Sequence, residues 1–257
     1  MLSKIQKITL GTKEWADSNV NCYLGCSNNC RYCYAKKMAI RFNRRTEDTW
    51  RIMIPNQKNI KKGYAKRKGR VMFPSSHDIT YESLEGCIIV LEKLLNAGND
   101  VLITTKPRLK CIKKICRLFF KKKELIQFRF TITSLSNELL KFWEPFAPLF
   151  EERINALKFA FNKGYMTSVS IEPFLDEDPF TLVETLYPYI TESIWIGKMN
   201  YVFTKNIKSK FINFYNHIEK INSKENLLRI VKRAKNYDES IIRIKDSIHN
   251  FLNKNNI

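Results

Sequence analysis

The sequence predicts an α/β fold of parallel strands joined by helices, followed by a helical extension at the C-terminal end. Three observations carry this. Six short β-branched or aromatic runs recur before residue 200. Amphipathic stretches long enough for helices lie between them. Residues 205–257 are highly charged, with helical character and no strand signal. Strands alternating with helices form right-handed βαβ units, which makes the strands parallel. Six such units build either an open sheet or an incomplete barrel. Both place ligands beyond the C-terminal ends of the strands.

The first strand is read over residues 18–24 (SNVNCYL) and a helix over 35–45. A second strand follows at 70–73 (RVMF), with a helix over 82–98 that stops at Gly98, glycine being a good helix terminator. DVLITT (100–105) is the third strand. Its helix spans 109–123, apolar at Leu109, Ile112, Ile115, Cys116 and Phe119. IQFRFTIT (126–133) is the fourth strand, followed by a loop containing Pro145 and Pro148 and a helix over 149–163. YMTSVSI (165–171) is the fifth strand, 179–190 a helix, and ESIWIG (192–197) the sixth strand. These boundaries predict one domain over 1–204 and a helical extension over 205–257.

With 257 residues, 44% of them apolar, the chain can bury one sizeable core. Forty-five Lys and Arg against 25 acids leave a net charge of +20, which attracts polyanions, nucleic acid among them. Lysine outnumbers arginine 31 to 14, a bias that an A+T-rich coding sequence also produces. KNIKKGYAKRKGR (58–70) holds seven basic residues and no acid. It reads either as a solvated loop or as a phosphate-contacting arm with Tyr64 available to stack. The opening MLSKIQKITLGTKEW lacks the apolar core of a secretory signal, and no apolar run reaches membrane-spanning length. A cytoplasmic location is expected, with no membrane partner and with reduced thiols. Seven unevenly spaced cysteines then argue for metal or redox chemistry over a disulfide framework.

Four of those cysteines fall within NCYLGCSNNCRYCYAKK (21–37). Cys26, Cys30 and Cys33 form C-x3-C-x2-C between the first strand and the first helix, at the ligand end of the sheet. A structural zinc site wants four closed ligands, commonly in two separated pairs. Cys87, Cys111 and Cys116 instead sit on predicted helices, where cysteine is usually a small core residue. Cys22 reads as a strand residue or a spare thiol near the site. A four-iron cluster normally takes four thiolates, so three leave one iron with an open position.

This C-x3-C-x2-C, with an aromatic just before its last cysteine and placed after a first strand, resembles the cluster loop of the radical S-adenosylmethionine (SAM) superfamily. The resemblance implies a partial (β/α)6 TIM-like barrel and a [4Fe-4S] cluster on Cys26, Cys30 and Cys33. It implies SAM bound through its amino and carboxylate groups at the open iron, and a 5′-deoxyadenosyl radical, released by reductive cleavage, that takes a hydrogen atom from substrate. A reductant of flavodoxin or ferredoxin type is the implied partner.

The strand ends supply candidate cofactor contacts. FPSSHDIT departs from the glycine-rich acidic turn of many members but offers Ser76 and Asp78 to the SAM amino group, with His77 beside them. Lys106 in TTKP is held out of the helix by Pro107 and is placed to pair with the SAM carboxylate. Thr133 and Ser134, Ser170 and Glu172, and Lys198 and Asn200 end the fourth, fifth and sixth strands. Glu172 and Lys198 read equally as a structural ion pair.

Over most of residues 17–200, CRYCYA, the S-x-D element, TKP and EPFAPLFEERINALKFAFNKGY look like the spore photoproduct lyase and DNA-repair-photolyase-like branch. There, tyrosines flanking the third cluster cysteine relay a hydrogen atom with a cysteine just ahead of the S-x-D element. Tyr32 and Tyr34 match the tyrosines, and Ser75 stands at the cysteine's place. An O–H bond is far stronger than S–H, so serine does not replace that donor and thymine-dimer repair is not carried over. Three readings remain. One is a radical SAM enzyme on a bulky anionic substrate such as DNA or RNA, docked by 58–70 and the Lys and Arg of 106–123. Another is the same chemistry on a peptide or small metabolite. The third is an iron-sulfur electron-transfer or binding module, which has no need of hydroxyls and lysines around its cluster.

Overall fold

The computed structural model describes residues 11–202 and 207–254. After a 3-10 turn (Gly11–Glu14), the chain forms β1 (Ser18–Asn19), β2 (Tyr23–Leu24), α1 (Tyr34–Arg41), β3 (Ile54–Pro55), α2 (Gln57–Lys61) and β4 (Val71–Phe73). It continues through α3 (Leu84–Asn96), β5 (Val101–Thr105), α4 (Leu109–Leu118), β6 (Ile126–Thr131), α5 (Asn137–Trp143) and α6 (Phe150–Asn162). The remainder is β7 (Met166–Ile171), α7 (Pro179–Leu186), β8 (Ile194–Ile196), α8 (Ile212–Ile221), α9 (Lys224–Ala234), β9 (Ile242–Ile244) and α10 (Asp246–Lys254).

All seven strands of the main sheet are parallel, in the order β1-β4-β5-β6-β7-β8-β9. The six predicted strands are therefore present and adjacent in chain order. Two details differ. The run 18–24 is split: Ser18–Asn19 joins the main sheet, and Tyr23–Leu24 pairs antiparallel with Ile54–Pro55. The tail, expected to be wholly helical over 205–257, contributes β9 as a seventh strand beside β8. IIRI offers only three strand residues between charged flanks, too short for a period-two signal. The domain boundary expected at 204–205 lies outside the described residues.

Alternation along the strands separates two faces. Val71, Phe73, Val101, Ile103, Phe128, Phe130, Val169, Ile171, Ile194 and Ile196 belong to the apolar core. Against them pack Val90, Leu91, Leu94 and Leu95 of α3, Ile112 and Ile115 of α4, and Leu157 of α6. Each such fully buried side chain contributes about 1.5–3 kcal/mol. Cys87, Cys111 and Cys116 lie in this core, as predicted. The register then sends the other set to the concave face: Met72, Leu102, Thr104, Gln127, Arg129, Ser168, Ser170, Trp195 and Arg243. That face is largely polar, so the lumen is not filled by a second core.

The segment 58–70 is pinned along the body rather than loose. Tyr64 is half-buried and donates its hydroxyl to Asn59 O at 2.8 Å, so it is not presented for stacking. Arg67 N donates to Asn99 Oδ1 at 2.8 Å, and Arg70 pairs with Glu192 at 3.6 Å. These last contacts lie at the N-terminal ends of the strands, opposite the cysteine loop. Among the described residues no helix is long and apolar enough to cross a membrane.

Candidate active site

The cysteine loop is built by three anchors. Gly25 has φ +96°, and a Cβ there would fall 2.5 Å from Ile52 O and 2.7 Å from Trp50 O, so only glycine fits before Cys26. Cys26 N then donates to Trp50 O at 3.0 Å, and Cys26 packs with buried Trp50 and Ala39. On the second side Asn28, fully buried, donates to Asp78 Oδ2 at 2.9 Å and accepts from Arg108 Nη2 at 2.9 Å. On the third, Arg31 N donates to Trp143 O at 2.9 Å, and Arg31 Nε donates to Phe142 O at 2.7 Å. Cys33 caps α1: its Sγ accepts from Lys36 N at 3.4 Å, so the positive end of the helix faces a thiol.

Cys26, Cys30 and Cys33 line one end of a cavity of about 1160 Å³ at the C-terminal ends of the strands. Tyr32, Tyr34, Ser75, Ser76, Asp78, Lys106, Ser170, Glu172, Lys198 and Asn200 line it too. Of the residues singled out in the sequence, Ser134 and Thr133 are absent from its walls. Ser134 is fully buried, donates to Asp176 Oδ1 and accepts from Ser136 N, so it braces the start of α5. Thr133 donates to Glu144 Oε1 at 2.8 Å.

Asp78 lies at the cavity wall, but its carboxylate is spent on the protein. Its Oδ1 accepts from Lys106 N at 2.7 Å and Thr105 Oγ1 at 3.0 Å; its Oδ2 accepts from Asn28, with Cys26 Sγ 3.7 Å away. Burial opposes ionisation here, yet the charge and amide of Lys106, with Asn28 and Thr105, hold the carboxyl below its ordinary range. Asp78 thus ties the cysteine loop to the end of β5. Ser75 and Ser76 both donate their amides to Asn21 Oδ1, and Ser75 Oγ accepts from Asn21 Nδ2. His77 also lines the cavity and is buried. Its Nε2 accepts from the amides of Cys22 and Tyr23 at 3.2 Å each, beside the Cys22 and Cys87 thiols.

Lys106 is buried, and its ammonium lies 5.6 Å from the Tyr32 ring centroid. Burial would lower its pKa, but Cys30, Tyr32, Asp78 and Glu144 together raise it well above the ordinary lysine value. Tyr32 donates its hydroxyl to Glu144, which is also paired with fully buried Arg153. Tyr34 is 54% exposed, with its ring 5.5 Å from that of Tyr201.

Across the cavity stands Glu172. Burial pushes its carboxyl up to about 7, against the opposing hydrogen bond of Ser247 and the charge of Lys198. Gly197 leaves it room: a Cβ there would lie 2.8 Å from the Glu172 side chain. Its nearest cation is Lys245 at 3.9 Å, not Lys198. Lys245, 3% exposed, also bonds Glu14 and Gly11 O. The tail therefore forms a wall of the cavity through Lys245, Ser247, Asn250 and Phe251. Sequence reading missed Glu144, Asn28 and Lys245. Glu144 left one signal, an acid between an aromatic run and a proline; the other two left none.

A family model described as the radical SAM superfamily matches residues 20–186. The chain belongs to the radical SAM superfamily. Radical SAM enzymes use a [4Fe-4S] cluster and SAM and need a reductant. The match runs from just before the cysteine loop to the end of α7. Two relatives are uncharacterized proteins of Methanocaldococcus jannaschii and of Acidianus two-tailed virus. They are 29% identical over 161 and 171 residues, each 62% of this chain and 60% and 55% of the relative. The chain thus spans little more than half the length of these relatives. Among solved structures, spore photoproduct lyase with bound AdoMet and dinucleoside spore photoproduct aligns with TM-score 0.48 and 16% identity, over 77% of this chain and 58% of that one. Streptococcus suis SuiB bound to S-adenosylmethionine aligns with TM-score 0.45 and 14% identity, over 68% and 38%.

The residues present fit the cofactors of this radical SAM chain. Burial raises the pKa of all three loop thiols, so a cationic centre is needed to hold them as thiolates. They are also spread more widely than single-ion ligands. Among the described residues, the one Cys/His/acid group crowded to single-ion spacing is Cys22, His77 and Cys87.

Proposed function

We propose that this chain is a radical SAM enzyme of the spore photoproduct lyase-like branch, abstracting hydrogen from an anionic substrate, with nucleic acid the class that the +20 charge favours. The observation that carries this is the shared cavity: three thiols at one end, and hydroxyls, lysines and carboxylates from the ends of β4, β5, β7 and β8 around it. In this reading Cys26, Cys30 and Cys33 hold the [4Fe-4S] cluster. When bound, cluster and SAM together supply the 5′-deoxyadenosyl radical that removes a hydrogen atom.

The remaining steps belong to the protein. Lys106, ionised and buried, pairs with the SAM carboxylate. Ser76 takes its amino group, Asp78 being committed to positioning the loop. Ser170, Glu172, Lys198 and Asn200 face the far half of the cavity, where substrate and ribose contacts belong. Tyr34 stands at the cavity with its ring beside Tyr201 and is the tyrosine placed to hand on a hydrogen atom. Tyr32 has its O–H committed to Glu144. Tail residues Lys245 and Phe251 close one wall and keep water from the reacting centre. Lys13, Lys198 and Lys254 on the same walls favour an anionic substrate over a neutral peptide. An electron-transfer module would have no use for a cavity of this size or for these groups.

The test is an anaerobic assay with dithionite and SAM. Reconstituted protein is expected to release 5′-deoxyadenosine and methionine, with Lys106→Ala weakening SAM binding at least tenfold. Intact SAM after prolonged reduction, with the cluster loaded, would refute the reading.

A further inference from the structure

A second cavity, of about 400 Å³, lies at the opposite end of the barrel, at the N-terminal ends of the strands. Its size is within the range of small-ligand sites. Its central group is Arg129, an inward residue of β6 and only 3% exposed. Arg129 Nε donates to Ser168 Oγ at 3.0 Å and Nη2 to Ser193 Oγ at 3.3 Å, both neutral partners. Nη1 is buried without any hydrogen-bond partner. The guanidinium lies beside an edge-to-face pair of indoles, 4.9 Å from the Trp15 ring and 5.4 Å from the Trp195 ring. Trp15 Nε1, on the same cavity wall, is a second buried donor without a partner.

Two more arginines line the same space. Arg243 stacks on Trp195 at 5.4 Å, and Arg70 reaches Glu192 at 3.6 Å. The acids there do not balance three guanidinium groups: Glu192 is engaged with Arg70, and Glu14 with Lys245 and the Asp246 amide. A buried guanidinium without a carboxylate is costly, and two orphan donors beside it add to the cost. The arrangement lowers the Arg129 pKa to about 9, burial first and the charges of Arg70 and Arg243 after it. An oxyanion with several lone pairs meets all of these groups at once, and arginine forks match its geometry.

We propose that the floor of the barrel is a binding site for a small oxyanion of the inorganic phosphate class, held by Arg129, Arg70 and Arg243 on the far side of Glu14 and Trp15, the two residues that line both this space and the cofactor cavity. The site shares the basic residue Arg70 with the segment 58–70, which otherwise faces away from the cysteine loop.

The experiment is calorimetric titration of sodium phosphate into the reconstituted holoenzyme preloaded with SAM, against sodium chloride at matched ionic strength, with tryptophan fluorescence read in parallel. The expected result is saturable one-to-one phosphate binding, absent with chloride, with a fluorescence change from Trp15 and Trp195. Arg243→Gln, on the exposed side of the cavity, is expected to lower phosphate affinity about tenfold or more while leaving SAM affinity unchanged. Arg129→Lys, which keeps the buried charge but removes the fork, is expected to do the same. No saturable phosphate binding, or wild-type phosphate affinity retained in both variants, would overturn the proposal. Phosphate that SAM displaces would do so as well, since it would then sit among the cavity lysines.

Discussion

The hydroxyl of Tyr32, between the second and third cysteines of the loop, donates to the buried carboxylate of Glu144, and the same carboxylate is paired with Arg153. Thr133 donates to it as well. The cysteine loop is thereby linked to the end of α5 and to the first turns of α6 through one acid. Burial alone would protonate Glu144; Arg153, then Lys106 and the Tyr32 hydroxyl, hold it ionised. Glu144→Ala would leave the Arg153 guanidinium uncompensated in the interior. A loss of about 3–5 kcal/mol is expected by urea unfolding. Tyr32→Phe leaves the ion pair intact and is expected to cost only about 1 kcal/mol.

Gly25 sets the approach of Cys26 to the carbonyls of Trp50 and Ile52. Gly25→Ala is expected to cost at least ~1–2 kcal/mol from the positive φ alone, with the carbonyl clash added to it. Thermal melting should show this loss, and iron uptake on reconstitution should fall with it. A variant that melts and loads like the wild type would show that the turn relaxes freely.

Asp78 collects donors from the cysteine loop and the end of β5. Asp78→Ala strands those donors and is expected to cost about 2–4 kcal/mol. Because the lost acceptor holds the loop and not the ligand, the expected kinetic effect is poorer cluster loading. SAM affinity of the fraction that does load should be unchanged. Quantifying iron and SAM binding on the same preparation separates the two.

Glu172 makes stability depend on pH. Its folded value of about 7 lies above the ordinary 4.5. Below the ordinary value both folded and unfolded chains carry the proton. Between the two values the folded chain keeps a proton that the unfolded chain has lost, so stability falls as pH rises, and the contribution from this group is fully lost above the folded value. The difference amounts to at most about 3 kcal/mol. Urea unfolding across this window should show wild type losing stability relative to Glu172→Gln as pH rises. Parallel profiles for the two would contradict the assignment.

What the sequence made legible follows from range. Six strands announced themselves because each is a local run between helices; which of their residues face the lumen came only from the register. Cys26, Cys30 and Cys33 were legible because loop spacing is local too. Helix α5 escaped notice: it is seven residues long, and its Ser136 cap lies in a stretch that reads as loop before two prolines. The bracing contacts of Asp78 were not legible because the carboxylate's donors come from segments 28 and 106, which no local pattern connects. Lys245 reaches Glu14 across 231 positions, and only the sheet order brings β9 to that edge. Ser134 looked like a rim residue because it follows a strand, but the chain turns inward there to meet Asp176.

The central claim is that Cys26, Cys30 and Cys33 bind a four-iron cluster with one iron left for SAM. Iron and sulfide analysis, with electron paramagnetic resonance of the dithionite-reduced protein in the absence and presence of SAM, tests it most directly. The expected result is about four irons per chain, a reduced-cluster signal that SAM perturbs, and none of either when the three cysteines are replaced together by alanine. Four irons retained by that triple variant, or a single zinc in place of iron, would contradict it.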